Sequence, residues 1–202
     1  LCLHQPHQRN PTTKTTGNCA LAIIRIIIEQ RLDLDLTSLI ATAIAHQPIH
    51  HKDENALAET LYNFIIERMR SYYLDKQNDL TTEMFTAVMI KRPNSLLDFD
   101  NRLKAVAAFV KLESALSLAA ANKRISNILK QAGVDSSATI NQSLLKEPAE
   151  MMLFNSVIKA KNAVAPLLAN RDYTNVLETL AELKGPIDGF FDDMKRVFPT
   201  LE

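Results

Sequence analysis

Glycine is scarce in this chain, with four residues among 202. That scarcity argues against folds rich in tight turns and against glycine-rich loops that cradle phosphates, and it favours long helices. Cysteine is scarcer still. Cys2 and Cys19 have neither metal-ligand nor redox spacing, and two thiols are too few for a disulfide framework. An excess of one charge is also missing, with 23 basic and 23 acidic residues. Any surface for nucleic acid must therefore come from local segregation of charge. The longest apolar run, Ala20 to Ile28, is broken by Arg25 and is far shorter than the roughly 20 residues that span a bilayer. The opening LCLHQPHQRNPTTKTTGN lacks a basic start followed by an apolar stretch, so it does not read as a secretory signal. The expected location is the cytoplasm, without a membrane partner.

Hydrophobic residues make up 47% of the chain, enough to bury a core. Their spacing is helical throughout, and the expected fold class is all-α. Residues 1–18 are polar and aperiodic and read as a loose leader. ALAIIRIIIEQR, from Ala20 to Arg31, is apolar on most sides and predicts a largely buried helix, with Arg25 and Glu29 paired one turn apart. A second helix covers Leu34 to Ala45 and stops near Pro48. Leu57, Leu61, Ile65 and Met69 recur every fourth residue and define the expected buried face of a third. Thr81 or Thr82 opens a short helix through Ile90, which Lys91-Arg92-Pro93 closes. Ser95 and Asp98 form a variant capping box before a long helix whose stripe is Phe99, Leu103, Val106 and Val110. It is expected to run on to Gly133, a C-terminal cap. Residues 134–146 read as a loop. Pro148 starts a helix with the face Leu153, Val157, Ala160, Val164 and Leu167, which Pro166 should kink or end. Asp172 caps Tyr173 to Leu183, and Gly185-Pro186 separates that helix from a last one at 187–197.

Catalytic chemistry finds little support. His46 and His50 have ligand spacing, with His51 adjacent, but Pro48 lies between them and no acid completes a zinc motif. A solvated loop is the better reading. No histidine is followed directly by aspartate, which counts against an HD-type phosphohydrolase. GxxxxGK[ST], GxGxxG and GxSxG are all absent. The carboxylate pairs Asp98/Asp100 and Asp192/Asp193 sit at expected helix starts or exposed faces, where acids favour the helix dipole, and nothing flanking them implies the burial that acid–base work requires. No catalytic or metal-binding residue is assigned.

Charge is distributed more informatively. Between Asn101 and Lys130 lie Arg102, Lys104, Lys111, Lys123, Arg124 and Lys130 against a single acid, Glu113. Lys123, Asn127 and Lys130 share one helical face, with Arg124 at its margin. Lysine, arginine and asparagine together suit phosphate contact and hydrogen bonding to exposed bases. A solvated helix face is the competing reading.

Four strings carry a resemblance: LAIIRIIIEQRLDLDL, FIIERMRSYYLDKQNDLTTEMFTAV, DFDNRLKAVAAFVKLESALSLAAANKRISNIL and ELKGPIDGFFDDM. In that order they resemble the C-terminal third of the β subunit of bacterial glycyl-tRNA synthetase, across roughly residues 20–194. ANKRISNIL and GPIDGFFDDM are the specific portions. The resemblance implies a helical body over 19–94 and a DALR-type anticodon-binding helical domain over 95–202. It also implies glycine tRNA as partner, with no DNA, and an α subunit as second partner in a tetramer of two α and two β chains. The α subunit would activate glycine with ATP and Mg²⁺, and this segment would hold no cofactor and no catalytic residue. The tRNA-facing positions implied are Arg102 and Lys104 in DFDNRLK and Asn122, Lys123, Arg124 and Asn127 in ANKRISN. Lys130 is added from the face argument alone. An ion pair with Asp98 or Asp100 is the alternative for Arg124. After FFDDM the chain departs from the family pattern, so the last helix of the anticodon-binding bundle is expected to be missing or altered. A helical scaffold for subunit assembly, without RNA contact, is the alternative function.

Overall fold

The computed structural model describes residues 11–48, 52–76, 79–133 and 140–197. Among these there is no strand, and nine α-helices follow one another: α1 (Pro11–Glu29), α2 (Leu36–Ala45), α3 (Glu54–Lys76), α4 (Thr82–Met89), α5 (Leu96–Val110), α6 (Glu113–Ala132), α7 (Pro148–Ala169), α8 (Tyr173–Ala181) and α9 (Lys184–Val197). The all-α reading holds. The chain divides into two compact units at Leu103/Lys104, within α5.

In the first unit α3 packs against α1, α2 and α4. Its buried face is Tyr62, Ile66, Met69 and Tyr73. The expected stripe is therefore displaced by one position, and of its members only Met69 is fully inside. The spacing of four, three and four tracks the 3.6-residue repeat, which a strict four-residue stripe drifts away from. Phe85 of α4 meets Phe99 of α5 with ring centroids 4.8 Å apart, and both rings are fully buried. Each such ring contributes about 2 kcal/mol by burial.

Three further expectations are corrected in this unit. Helix α1 begins at Pro11, so residues 11–18 are helical where a loose leader was expected. Proline is favoured in a first turn because its missing N–H is unneeded there. Nor is α1 largely buried: Ile24 and Ile27 are inside, whereas Ile23 and Ile26 are 56% and 55% exposed. The Arg25–Glu29 pair does form, at 3.2 Å on the outer side. The third correction concerns Asp98 and Asp100, which are buried. Asp98 accepts from Arg102 Nε at 2.8 Å, and the Tyr73 hydroxyl donates to Asp100 Oδ1. Burial first, and the Asp100 carboxylate second, hold the Tyr73 hydroxyl far above the usual phenol range. Short-range polarity outlined these acids correctly but could not show that α3 would cover them.

The helix starts follow the sequence closely. Asp35 caps α2 through Ser38 N at 2.8 Å, Thr81 caps α4 through Met84 N, and Ser95 Oγ accepts from Asp98 N. Backbone pairing joins Asp35 to Ser95 as an isolated antiparallel bridge, with Leu36 N donating to Asn94 O at 2.7 Å. With glycine scarce, arginines take the left-handed positions after helices α1, α4 and α7: Arg31, Arg92 and Arg171.

In the second unit α7 packs on α8 and α9, and α6 on α9 and α8. The interior is made of small side chains, with Ala115, Ala160, Val164, Val176, Ala181 and Ile187 buried. The single long helix expected from Phe99 to Gly133 is two helices. Leu112 is extended (φ −79°, ψ 136°), and the amides of Lys111 and Leu112 bond three residues back, to Ala108 and Phe109, which tightens and closes α5. Gly133 caps α6 in the left-handed region at φ 63°, as its position predicts. Helix α7 passes Pro166 and ends at Ala169, with Ala160 and Val164 on its buried face but Val157 40% exposed. Asp172 caps α8 through Asn175 N. Gly185 and Pro186 lie in the first turn of α9 instead of outside it, where proline is tolerated. His50, His51, Cys2, residues 1–10 of the leader and residues 134–139 of the loop lie outside the described residues. Cys19 is exposed on α1.

Candidate nucleic-acid interface

Helix α6 forms because Ser114–Ala121 is dominated by alanine and leucine, followed by Lys, Arg and Leu, all good helix formers. Its apolar side turns Ala115 inward. The ANKRISN string then falls on the outer side near the helix C-terminus, and Asn122, Lys123, Arg124, Asn127 and Lys130 are all exposed. Lys130 in the last turn also suits the negative end of the helix dipole. Among the described residues no carboxylate pairs with Lys123, Arg124 or Lys130, so their charge is available to a ligand.

Arg124 is exposed and meets an aromatic ring. Its guanidinium carbon lies 4.0 Å from the centroid of the Phe191 ring on α9, in van der Waals contact and at cation–π distance. The ring of Phe190 meets Phe191 edge-on at 5.5 Å and 66°. The two most specific strings of the sequence, ANKRISN and GPIDGFFDDM, thus touch through Arg124 and Phe191. Phe191 was missed as a site residue. The packing of α6 on α9 brings the Phe191 ring against the cation.

The remaining candidates, Arg102 and Lys104, lie on α5. Arg102 lies in the first unit and is 36% exposed, with its Nε committed to Asp98, whose side chain is 10% exposed. Asp98 thus takes Arg102, the arginine one helical turn away. Lys104 is exposed and is the first residue of the second unit.

Elsewhere in the second unit, α7, α8 and α9 enclose a cavity of about 170 Å³ lined by Ser156, Lys159, Ala160, Thr179, Glu182 and Pro186. The hydroxyls of Ser156 and Thr179 are occupied by their own helix carbonyls, at 2.8 and 2.7 Å. His46 Nδ1 is hydrogen-bonded to Thr42 O. No helix among the described residues is long and apolar enough to cross a membrane.

Comparison with known families adds that residues 118–200 match the DALR anticodon binding domain. Asn122, Lys123, Arg124, Asn127, Lys130 and Phe191 fall inside that segment, whereas Arg102 and Lys104 precede it. Most of the chain is similar to glycine–tRNA ligase beta subunits. It is 39% identical over 173 residues to that of Pseudomonas fluorescens, covering 86% of this chain and 25% of the relative. Identity is 41% over 175 residues to the Haemophilus influenzae protein and 42% over 175 residues to that of Pseudomonas aeruginosa, covering 87% of this chain and 25% of each relative. The resemblance read from the four strings therefore extends over most of the chain, which spans about a quarter of the length of the curated relatives it matches.

Proposed function

We propose that this chain is the tRNA-docking part of a glycine–tRNA ligase β subunit, holding the anticodon arm of glycine tRNA while a separate α subunit aminoacylates it. The observation that carries this reading is the set of exposed cations on α6, without a carboxylate partner among the described residues, inside the segment similar to anticodon-binding domains. Lys123 and Lys130 neutralise phosphates, and Asn122 and Asn127 offer both donor and acceptor to base edges. The segment supplies binding and no catalytic group, with ATP and Mg²⁺ used by the α subunit in the cytoplasm. Two α and two β chains are the proposed assembly.

Salt dependence tests it. Lys123 and Lys130 on single-stranded phosphates are expected to contribute about −1.4 to the slope of log affinity against log salt, from about −0.7 per phosphate. Lys123→Ala/Lys130→Ala should make it shallower by about 1.4. Identical affinity and slope in the double variant would reject the surface.

A second role is favoured for the first unit. Ile23 and Ile26 are more than half exposed one turn apart on α1, which suits a protein contact better than solvent. The two roles belong to different units and do not compete.

A further inference from the structure

We propose that Arg124, resting on Phe191, is a stacking platform for an unstacked nucleobase and not one more phosphate contact. The inference rests on the RNA-binding reading above and concerns how one base is held. Three observations carry it. The guanidinium carbon lies 4.0 Å from the centroid of the Phe191 ring, and the residue remains exposed. A planar cation held in this way offers a face to a second planar group. Phe190 packs edge-on against Phe191 at 5.5 Å. Phe191 is thus a positioning residue for Arg124.

Charge separates this spot from the rest of α6. Lys123 and Lys130 have no acid within two turns on their own helix, and they suit phosphates. Phe191 is followed directly by the exposed Asp192 and Asp193, and preceded by Asp188, which pairs with Lys184 at 3.9 Å. The acids of α9 make the neighbourhood of Arg124 less favourable to a phosphate than that of Lys123 or Lys130, whereas a neutral base is not repelled. Stacking is also tolerant of sequence, because every base has a π face. Lysine cannot replace arginine in this role: it keeps the charge and loses the plane.

The test uses RNA hairpins carrying 2-aminopurine at successive single-stranded loop positions, titrated with the chain and its variants. The wild-type chain is expected to change the fluorescence at one loop position on binding. Arg124→Lys should abolish that change and weaken binding by between several-fold and about a hundredfold, with the salt slope unaltered. Phe191→Leu, checked for helix content by circular dichroism, should shift both readouts in the same direction. Retention of the signal and of affinity within about twofold in Arg124→Lys overturns the stacking platform alone. No binding of any hairpin by the wild-type chain overturns the RNA-binding reading, and this inference with it.

Discussion

The hydroxyl of Tyr73, on α3, donates to the carboxylate of Asp100, on α5, and both side chains are at most 2% exposed. A polar pair is thereby sealed inside the first unit. Tyr73→Phe leaves a buried carboxylate without this donor and should cost about 1–3 kcal/mol of stability, read as a lower urea midpoint with unchanged slope. The pH dependence has a definite sign. Burial and Asp100 raise the hydroxyl's pKa in the folded chain, so the unfolded chain ionises first, near pH 10. Stability is therefore full below about pH 10 and falls as pH rises above it. Tyr62, raised chiefly by burial, adds to the same alkaline loss. Tyr73→Phe should flatten the fall between about pH 10 and 11, and an unchanged alkaline profile would contradict the assignment.

Arg102→Ala should destabilise the first unit without altering the salt dependence of RNA binding. Its partner Asp98 is 10% exposed and would lose its cation. Removing one member of a buried pair costs about 3–5 kcal/mol. With Arg102 36% exposed, solvent screening reduces this to about 1–2 kcal/mol. Thermal melting measures the first effect and a salt titration the second. A loss of salt slope comparable with Lys123→Ala would return Arg102 to the RNA surface.

Gly133→Ala should cost about 1–2 kcal/mol through backbone conformation alone. The residue sits at φ 63° with nothing within 4 Å of an added Cβ, so no clash contributes. Chemical denaturation reads the cost, and a neutral result would mean that α6 ends differently.

Ile23→Gln/Ile26→Gln should leave stability within about 0.5 kcal/mol, as suits exposed positions, while weakening capture of an α subunit. Pull-down after nuclease treatment checks this. Undiminished capture would remove these residues from a protein interface.

Legibility in the sequence followed the range of the interaction. Thr81, Ser95, Asp172 and Gly133 act within one turn of their own positions, and the helix ends they imply are where they should be. The basic face of α6 was legible for the same reason, since one helix sets the spacing of Lys123, Asn127 and Lys130. What depends on packing was not. Asp98 and Asp100 look like surface acids until α3 covers them. Ile23 and Ile26 look like core until only one side of α1 finds a partner. The break at Lys111–Leu112 carries neither glycine nor proline, the usual marks of interruption. Phe191 becomes a support for Arg124 only through the docking of α6 on α9.

The bridge between Asp35 and Ser95 has an energetic consequence of its own. Asp35 caps α2, Ser95 caps α5, and their backbones pair with each other. Two helix starts far apart in the chain are thereby one cooperative knot. Losses from Asp35→Ala and Ser95→Ala should not add, because whichever goes first loosens the backbone on which the other depends.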